Sequence, residues 1–203
     1  MPFISNGTTI LDNGAFSVSL GSQVLIKEIT ASSDASISFV DGSSDVVLDS
    51  TYPIYKFEFI NIHGANSQEL VFDFSSDGGS TYDKVYTTTF FKATQNESDT
   101  DGALNYVTAR DLANSGARPF LTQSIGTGND ESGSGEIFLY NPSSTTFVKH
   151  FLVTANMLAG DYTQNTFVGG YCNTTSAIDA IKFEMDSGNI DSGKIKLYGI
   201  KDS

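Results

Sequence analysis

The chain of 203 residues has no tryptophan, four prolines, two histidines and a single cysteine. With Cys172 alone, no disulfide can close within the chain, so stability must come from packing or from association with other chains. Two histidines and one cysteine leave zinc sites of the usual kind without ligands. Positive charge is scarce as well: 11 Lys plus Arg stand against 24 Asp plus Glu, a formal net charge of −13. Such a surface repels phosphate, whereas nucleic-acid binding rests on cationic contacts and counterion release, so nucleic acid is not an expected partner. Anionic lipid headgroups are repelled in the same way. No apolar run approaches the roughly 20 residues needed to span a bilayer. The opening Met1-Pro2-Phe3-Ile4-Ser5-Asn6-Gly7 lacks the basic and apolar regions of a secretion signal, so folding in a cytoplasm is expected.

What the chain does have is β-forming composition. Fifteen Phe and nine Tyr, with Val, Ile and Thr, suit a pleated, half-buried surface, and 19 Gly with abundant Ser, Asn and Asp supply turns. The dominant period is two. Phe16, Val18 and Leu20 alternate with Ser17 and Ser19; Leu70, Phe72 and Phe74 with Val71 and Asp73; Ile181, Phe183 and Met185 with Lys182 and Glu184. Side chains of a strand point alternately to opposite faces, so each run predicts a strand with one buried face. Further strands are expected at 23–30, 36–40, 55–63, 84–91, 136–141, 147–155, 166–171 and 194–200. In 55–63 the apolar set sits on odd positions through Phe59 and then passes to Ile60 and Ile62, a register change that predicts a β-bulge. The one weak helical candidate is 104–114.

Asp41-Gly42, Asn141-Pro142, Ser187-Gly188 and Ser192-Gly193 mark turns, and Asp77-Gly78 is a hairpin signal. Residues 94–118, which hold both arginines, Arg110 and Arg118, read as a long exposed loop with at most one helical turn; 126–135 reads as a second flexible loop. Ser134-Gly135-Glu136-Ile137-Phe138-Leu139-Tyr140 echoes Ser192-Gly193-Lys194-Ile195-Lys196-Leu197-Tyr198, which predicts two equivalent inner strands, each entered through a Ser-Gly turn. Many short antiparallel strands with polar turns imply an all-β fold, an antiparallel β-sandwich of jelly-roll type with long polar loops. It is expected as one domain over 15–203. Residues 1–14, Asn/Gly-rich and outside the main alternation, read as an attachment arm.

No catalytic constellation is recognisable. His63 ends a strand and His150 lies within one, neither accompanied by a Gly-x-Ser-x-Gly elbow, and Cys172 has no nucleophile signature around it. Glu58, Glu69, Asp73, Glu136 and Glu184 stand on strands and could supply the carboxylate pair of a glycosidase, but 24 acids make accidental availability the expectation. Glu97, Asp99 and Asp101 alternate in 94–102 before Gly102, as part of a calcium loop would, without its closing glutamate; a solvated acidic turn is the better reading. Tyr52, Tyr82, Tyr106 and Tyr162 could stack on sugar rings, or could simply anchor loops. The expectation is a protein that is not an enzyme, with no cofactor and no metal.

Several stretches carry a resemblance: Ser38-Phe39-Val40-Asp41-Gly42, the strand 55–63, Phe74-Ser75-Ser76-Asp77-Gly78-Gly79-Ser80-Thr81-Tyr82, Leu139-Tyr140-Asn141-Pro142, and 187–200. Together they resemble virion proteins of marine bacteriophages, especially those infecting cyanobacteria and other abundant ocean bacteria. The resemblance covers most of the chain but rests on strand and turn motifs without chemistry, so no site residues are carried over. It implies a small jelly-roll structural protein of fibre or decoration type, made in a host cytoplasm and built into the virion. The implied partners are other virion proteins and copies of itself, with a trimer favoured. Two rivals are a carbohydrate-binding adhesin that recognises a host-surface glycan and a small glycan hydrolase.

If 194–200 is an internal strand, truncation after Gly193 should yield insoluble protein. A soluble, folded truncation product in a sedimentation assay would place that strand elsewhere.

Overall fold

A computed structural model describes residues 3–5, 8–12, 15–16 and 23–201, with side chains from residue 23 onward. Strands β1 (Phe3–Ser5), β2 (Thr8–Asp12) and β3 (Ala15–Phe16) form a small antiparallel sheet; β1 and β2 fall within the segment read as an arm. The alternation expected over 17–20 lies outside the described residues.

Twelve further strands follow. They are β4 (Gln23–Thr30), β5 (Ile37–Val40), β6 (Ile54–Gly64), β7 (Leu70–Ser75), β8 (Tyr86–Asn96) and β9 (Gly102–Tyr106), then β10 (Leu112–Ser115), β11 (Gly133–Tyr140), β12 (Lys149–Ala159), β13 (Tyr162–Cys172), β14 (Ala180–Met185) and β15 (Ile190–Ile200). Nine of these form one sheet in the order β10-β8-β13-β12-β11-β6-β15-β4, with β9 also paired to β8; β5, β14 and β7 form a second. Every pairing among the described residues is antiparallel. The expected all-β sandwich is what the chain forms.

Burial follows sequence parity. Along β12, Lys149, Phe151, Val153, Ala155 and Met157 are buried, while His150, Leu152, Thr154 and Asn156 are exposed. Two groups of aromatic rings join the sheets. Phe39 of β5 and Phe183 of β14 meet Phe57 of β6 at 5.4 and 5.5 Å. Phe72 and Phe74 of β7 meet Tyr86 of β8 and Phe151 of β12 at 5.1–6.1 Å. These rings are fully buried or nearly so, and truncating one to alanine costs about 3–5 kcal/mol. Three strands cannot cover the inner face of nine, and the connecting segments complete the core. Val46 and Leu48 come from one connection, Leu121 and Ile125 from another, and Ile178 from a third.

The register change in β6 is a bulge at Asn61, whose φ is +50°. Pairing slips there with both neighbours, between Gly133 and Gly135 of β11 and between Ser192 and Lys194 of β15. The two Ser-Gly dipeptides therefore lie within strands flanking the bulge and are not turns. They do belong to inner strands, as expected. Their glycines are required by contact: a β-carbon at Gly135 would stand 2.4 Å from the Thr154 carbonyl, and one at Gly193, φ +114°, would stand 2.6 Å from that of Asn61.

Three other expectations are corrected. Residues 104–114 form no helix, and 94–118 is mostly not loop: it holds the end of β8, then β9 and β10, which lie along one edge of β8. Both edge strands are short and mostly exposed, Leu112 alone of β10 packing against the core, so neither shows the alternation of a strand with one buried face. Asp77-Gly78 joins no hairpin, because β7 and β8 belong to different sheets. Its turn is closed by the Ser75 hydroxyl and the Thr81 N–H, which hold the Asp77 carboxyl down at about 2. Gly160-Asp161 does close a two-residue hairpin, between β12 and β13. Finally, the 126–135 segment ends inside β11 and is pinned by Glu131, which accepts N–H groups from Gly128 and Gly160.

Gly135→Ala should destabilise the fold by about 2 kcal/mol, because backbone atoms cannot retreat from the new methyl group. Gly116→Ala, with nothing within 4 Å, should leave the denaturant midpoint unchanged.

Candidate functional site

The inner face of the nine-stranded sheet is core, while its outer face leaves large apolar side chains such as Phe91, Leu152 and Tyr106 exposed. Cross-strand register lines that face with two continuous rows. One runs Tyr106, Phe91, Phe167, Thr154, Glu136, Glu58, Lys196, Glu28, across eight strands. Beside it lies Thr89, Gly169, Leu152, Phe138, Lys56, Tyr198, Leu25.

The two ends of these rows differ in chemistry. Toward β4 they are charged and internally paired. Lys56 Nζ lies 2.5 Å from Glu58 and 3.8 Å from Glu136, and Lys194 and Lys196 reach Glu28 at 2.8 and 3.5 Å. Partial burial raises the Glu58 carboxyl, but the Lys56 hydrogen bond and charge outweigh it and leave the group below its ordinary range. Toward β8 the face is apolar. The rings of Phe91 and Phe167 stack at 5.0 Å and 16°, and Phe91, Leu152 and Tyr106 are 40%, 53% and 53% exposed. Where Gly169 lacks a side chain, a hollow of about 330 Å³ opens between Leu152, Thr89 and the two phenylalanines. Contiguous exposed apolar surface of this kind marks interaction sites.

Sequence reasoning singled out only Tyr106, Glu58, Glu136 and His150 on this face. The signal for the rest was the apolar doublets Phe90-Phe91, Phe151-Leu152 and Phe167-Val168. Within a strand, a doublet puts one apolar residue on each face.

The other singled-out residues are dispersed. His63 borders a polar cleft with Asn61, Asp130, Glu131, Ser132 and Ser192; its Nε2 is buried and without a partner. Ser192 is its cross-strand neighbour. A Ser-His-acid relay needs hydrogen bonds through the imidazole, and none joins either serine to His63 among the described residues, while the Glu131 oxygens are engaged by backbone N–H groups. His150 is exposed on β12, edge-on to Tyr171 at 6.0 Å. Register through Gly133 of β11 aligns Ile62, next to His63, with Met157 two strands away, and Met157 lies seven residues along β12 from His150, or roughly 23 Å at strand rise, so the histidines are far apart.

Glu69 is buried in an ion pair with Arg110 and accepts the Ser124 hydroxyl at 3.1 Å. Glu184 takes Arg118 at 2.6 Å. The Tyr86 hydroxyl donates to Asp73 at 2.6 Å, and burial, the largest influence, raises that carboxyl. Glu58 and Glu136 are the one pair brought side by side, with Lys56 between them; a general acid needs a raised pKa, the reverse of what Glu58 has. In the 94–102 hairpin the Asn96 side chain takes the centre, accepting from the Thr100 and Asp101 N–H groups. Asp99 accepts from Gln95 and Asp101 from Tyr162, so these carboxylates point to separate partners. No group of three metal-ligating side chains converges among the described residues. Tyr52 packs edge-on to Tyr55, Tyr82 lies under Lys182, and Tyr106 and Tyr162 donate to Asp111 and Asp101; no common platform forms among them.

Cys172 is fully buried beside Lys149, its cross-strand partner, and burial pushes the thiol up to about 12. At about pH 8 the thiolate population is negligible. An aromatic disulfide reagent should therefore leave the native protein untouched and titrate one thiol once denaturant is added. Rapid native-state reaction would contradict this burial.

Comparison with protein-family models, with curated proteins and with solved structures returns no match.

Proposed function

We propose that this protein is a structural component of a bacteriophage virion: a jelly-roll-type sandwich, made in the host cytoplasm, that joins capsid or tail as decoration or fibre. In that role it stabilises the particle or presents a surface, in contact with other virion proteins and with copies of itself. The observation that carries the reading is the broad outer face of the nine-stranded sheet, partly apolar and exposed. It is a contact surface, and contact is the work of a particle component. The strand and turn motifs that resemble marine phage virion proteins support the same reading, as does acidic charge that keeps the body from adhering to a packaged genome.

A second reading, the host-glycan adhesin, is favoured by one observation: Tyr106 and Phe91 are exposed on the row adjoining Asn156 and Asn165. Antibody raised against the purified protein should label particles of the encoding phage at symmetric positions on head or tail. Labelling confined to lysate debris would sink the virion assignment. Glycan-array binding that disappears in Tyr106→Ala would move the reading to the adhesin.

A further inference from the structure

The outer face of the large sheet differs electrically from the rest of the molecule. The chain carries −13 overall. On this face, Lys56, Lys194 and Lys196 stand against Glu28, Glu58 and Glu136, and Asp111, which accepts the Tyr106 hydroxyl at the far edge, leaves the face close to neutral beside the whole chain. The lysines and glutamates also neutralise one another locally, through the four contacts given above. Two copies of a strongly acidic chain repel when acidic surfaces approach, over the roughly 8–10 Å that salt leaves unscreened. Through this face they meet with little of that penalty.

Shape points the same way. Leu152, 53% exposed, leans toward its cross-strand partner Gly169, the floor of the hollow, and forms one movable wall of it. Knob and hole are thus immediate neighbours in one row. A two-fold axis lying in the contact plane between these strands brings each Leu152 over the other copy's Gly169, the self-complementary arrangement of an isologous interface. The Phe91–Phe167 stack and Phe138 flank the contact as aromatic anchors, and Thr154, Asn156 and Asn165 form a polar rim. The hollow suits an apolar side chain better than a sugar: beyond apolar atoms it offers threonine hydroxyls, and that of Thr89 already donates to the Gly169 carbonyl at 3.3 Å.

We propose that two copies of this chain pack through the outer faces of their nine-stranded sheets, with Leu152 of each seated in its partner's hollow over Gly169. The proposal rests on the homo-oligomeric part of the reading above and gives that contact its surface.

Sedimentation velocity on the purified full chain tests it. The wild type should sediment as a dimer or an even-numbered assembly. Leu152→Glu, which buries a charge at the contact, and Gly169→Thr, which fills the hollow, should each weaken association by at least ~30-fold, as loss of a central anchor does. Ser43→Glu, in an exposed turn of the other sheet's connections, should sediment as wild type. Circular dichroism and melting temperature establish that each variant is folded. At Gly169 the first new atom would stand 3.2 Å from the mobile end of Leu152 and has an ordinary φ, so that variant folds even if the charged one does not. A monomeric wild type, an odd-numbered ring, or folded variants that associate like wild type would each overturn the proposal. Particle labelling is read separately, so a failure here is distinguishable from a failure of the virion assignment.

Discussion

Seven aromatic rings hold the two sheets together, and the rest of the architecture depends on that contact. Phe39, Phe57 and Phe183 form one group, Phe72, Phe74, Tyr86 and Phe151 the other. Each strand of the small sheet contributes at least one ring, so each is fastened to the large sheet directly. Where tryptophan and disulfides are absent, edge-to-face packing of Phe and Tyr supplies both the buried area and the fixed geometry between layers. One polar link reinforces it: the Tyr86 hydroxyl accepts the Phe74 N–H and donates to Asp73, so the ring that fills the core also satisfies a buried carboxylate.

Nine strands against three leave an imbalance that is resolved differently on the two sides. Inside, connecting segments serve as further layers. Residues 119–121 run along β7, the Phe72 and Leu121 N–H groups bonding across to Pro119 and Leu70. Arg110 and Arg118 secure that segment to Glu69 and to Glu184 and Asp186, with Arg110 also lying 4.5 Å over the Phe120 ring. Lys149, wholly buried, donates to the carbonyls of Phe147 and Thr174, and its ammonium ties two loops where a bound cation might serve in another protein. Outside, the rows of aromatic and charged residues stay exposed.

Period-two alternation made the strands legible because most of them have one wet face. The 23–30 strand agrees in both bounds, and the bulge in β6 could be read from the passage of apolar residues past Phe59. Edge strands β9 and β10 were illegible for the complementary reason: they are short and mostly wet, with Leu112 alone of β10 packed against the core, so no buried face imposes an alternation. The Ser-Gly dipeptides misled because glycine serves close backbone approach as well as turns, and at Gly135 the Thr154 carbonyl demands it. The candidate surface was only half visible. Its members sit on six or more strands, and register, which no local pattern encodes for distant segments, brings Phe91 beside Phe167 and Glu136 beside Glu58.

The place of β15 has a consequence for biosynthesis. It lies between β6 and β4, two strands made long before it, and these have no pairing with each other. Until a ribosome has delivered 190–200, the flanks of β4 and β6 that will receive it stay open, and the large sheet has a gap at its centre of charge pairing. Closure therefore waits for the last-made strand of this sheet and joins remote parts of the chain, the kind of non-local pairing that folds slowly.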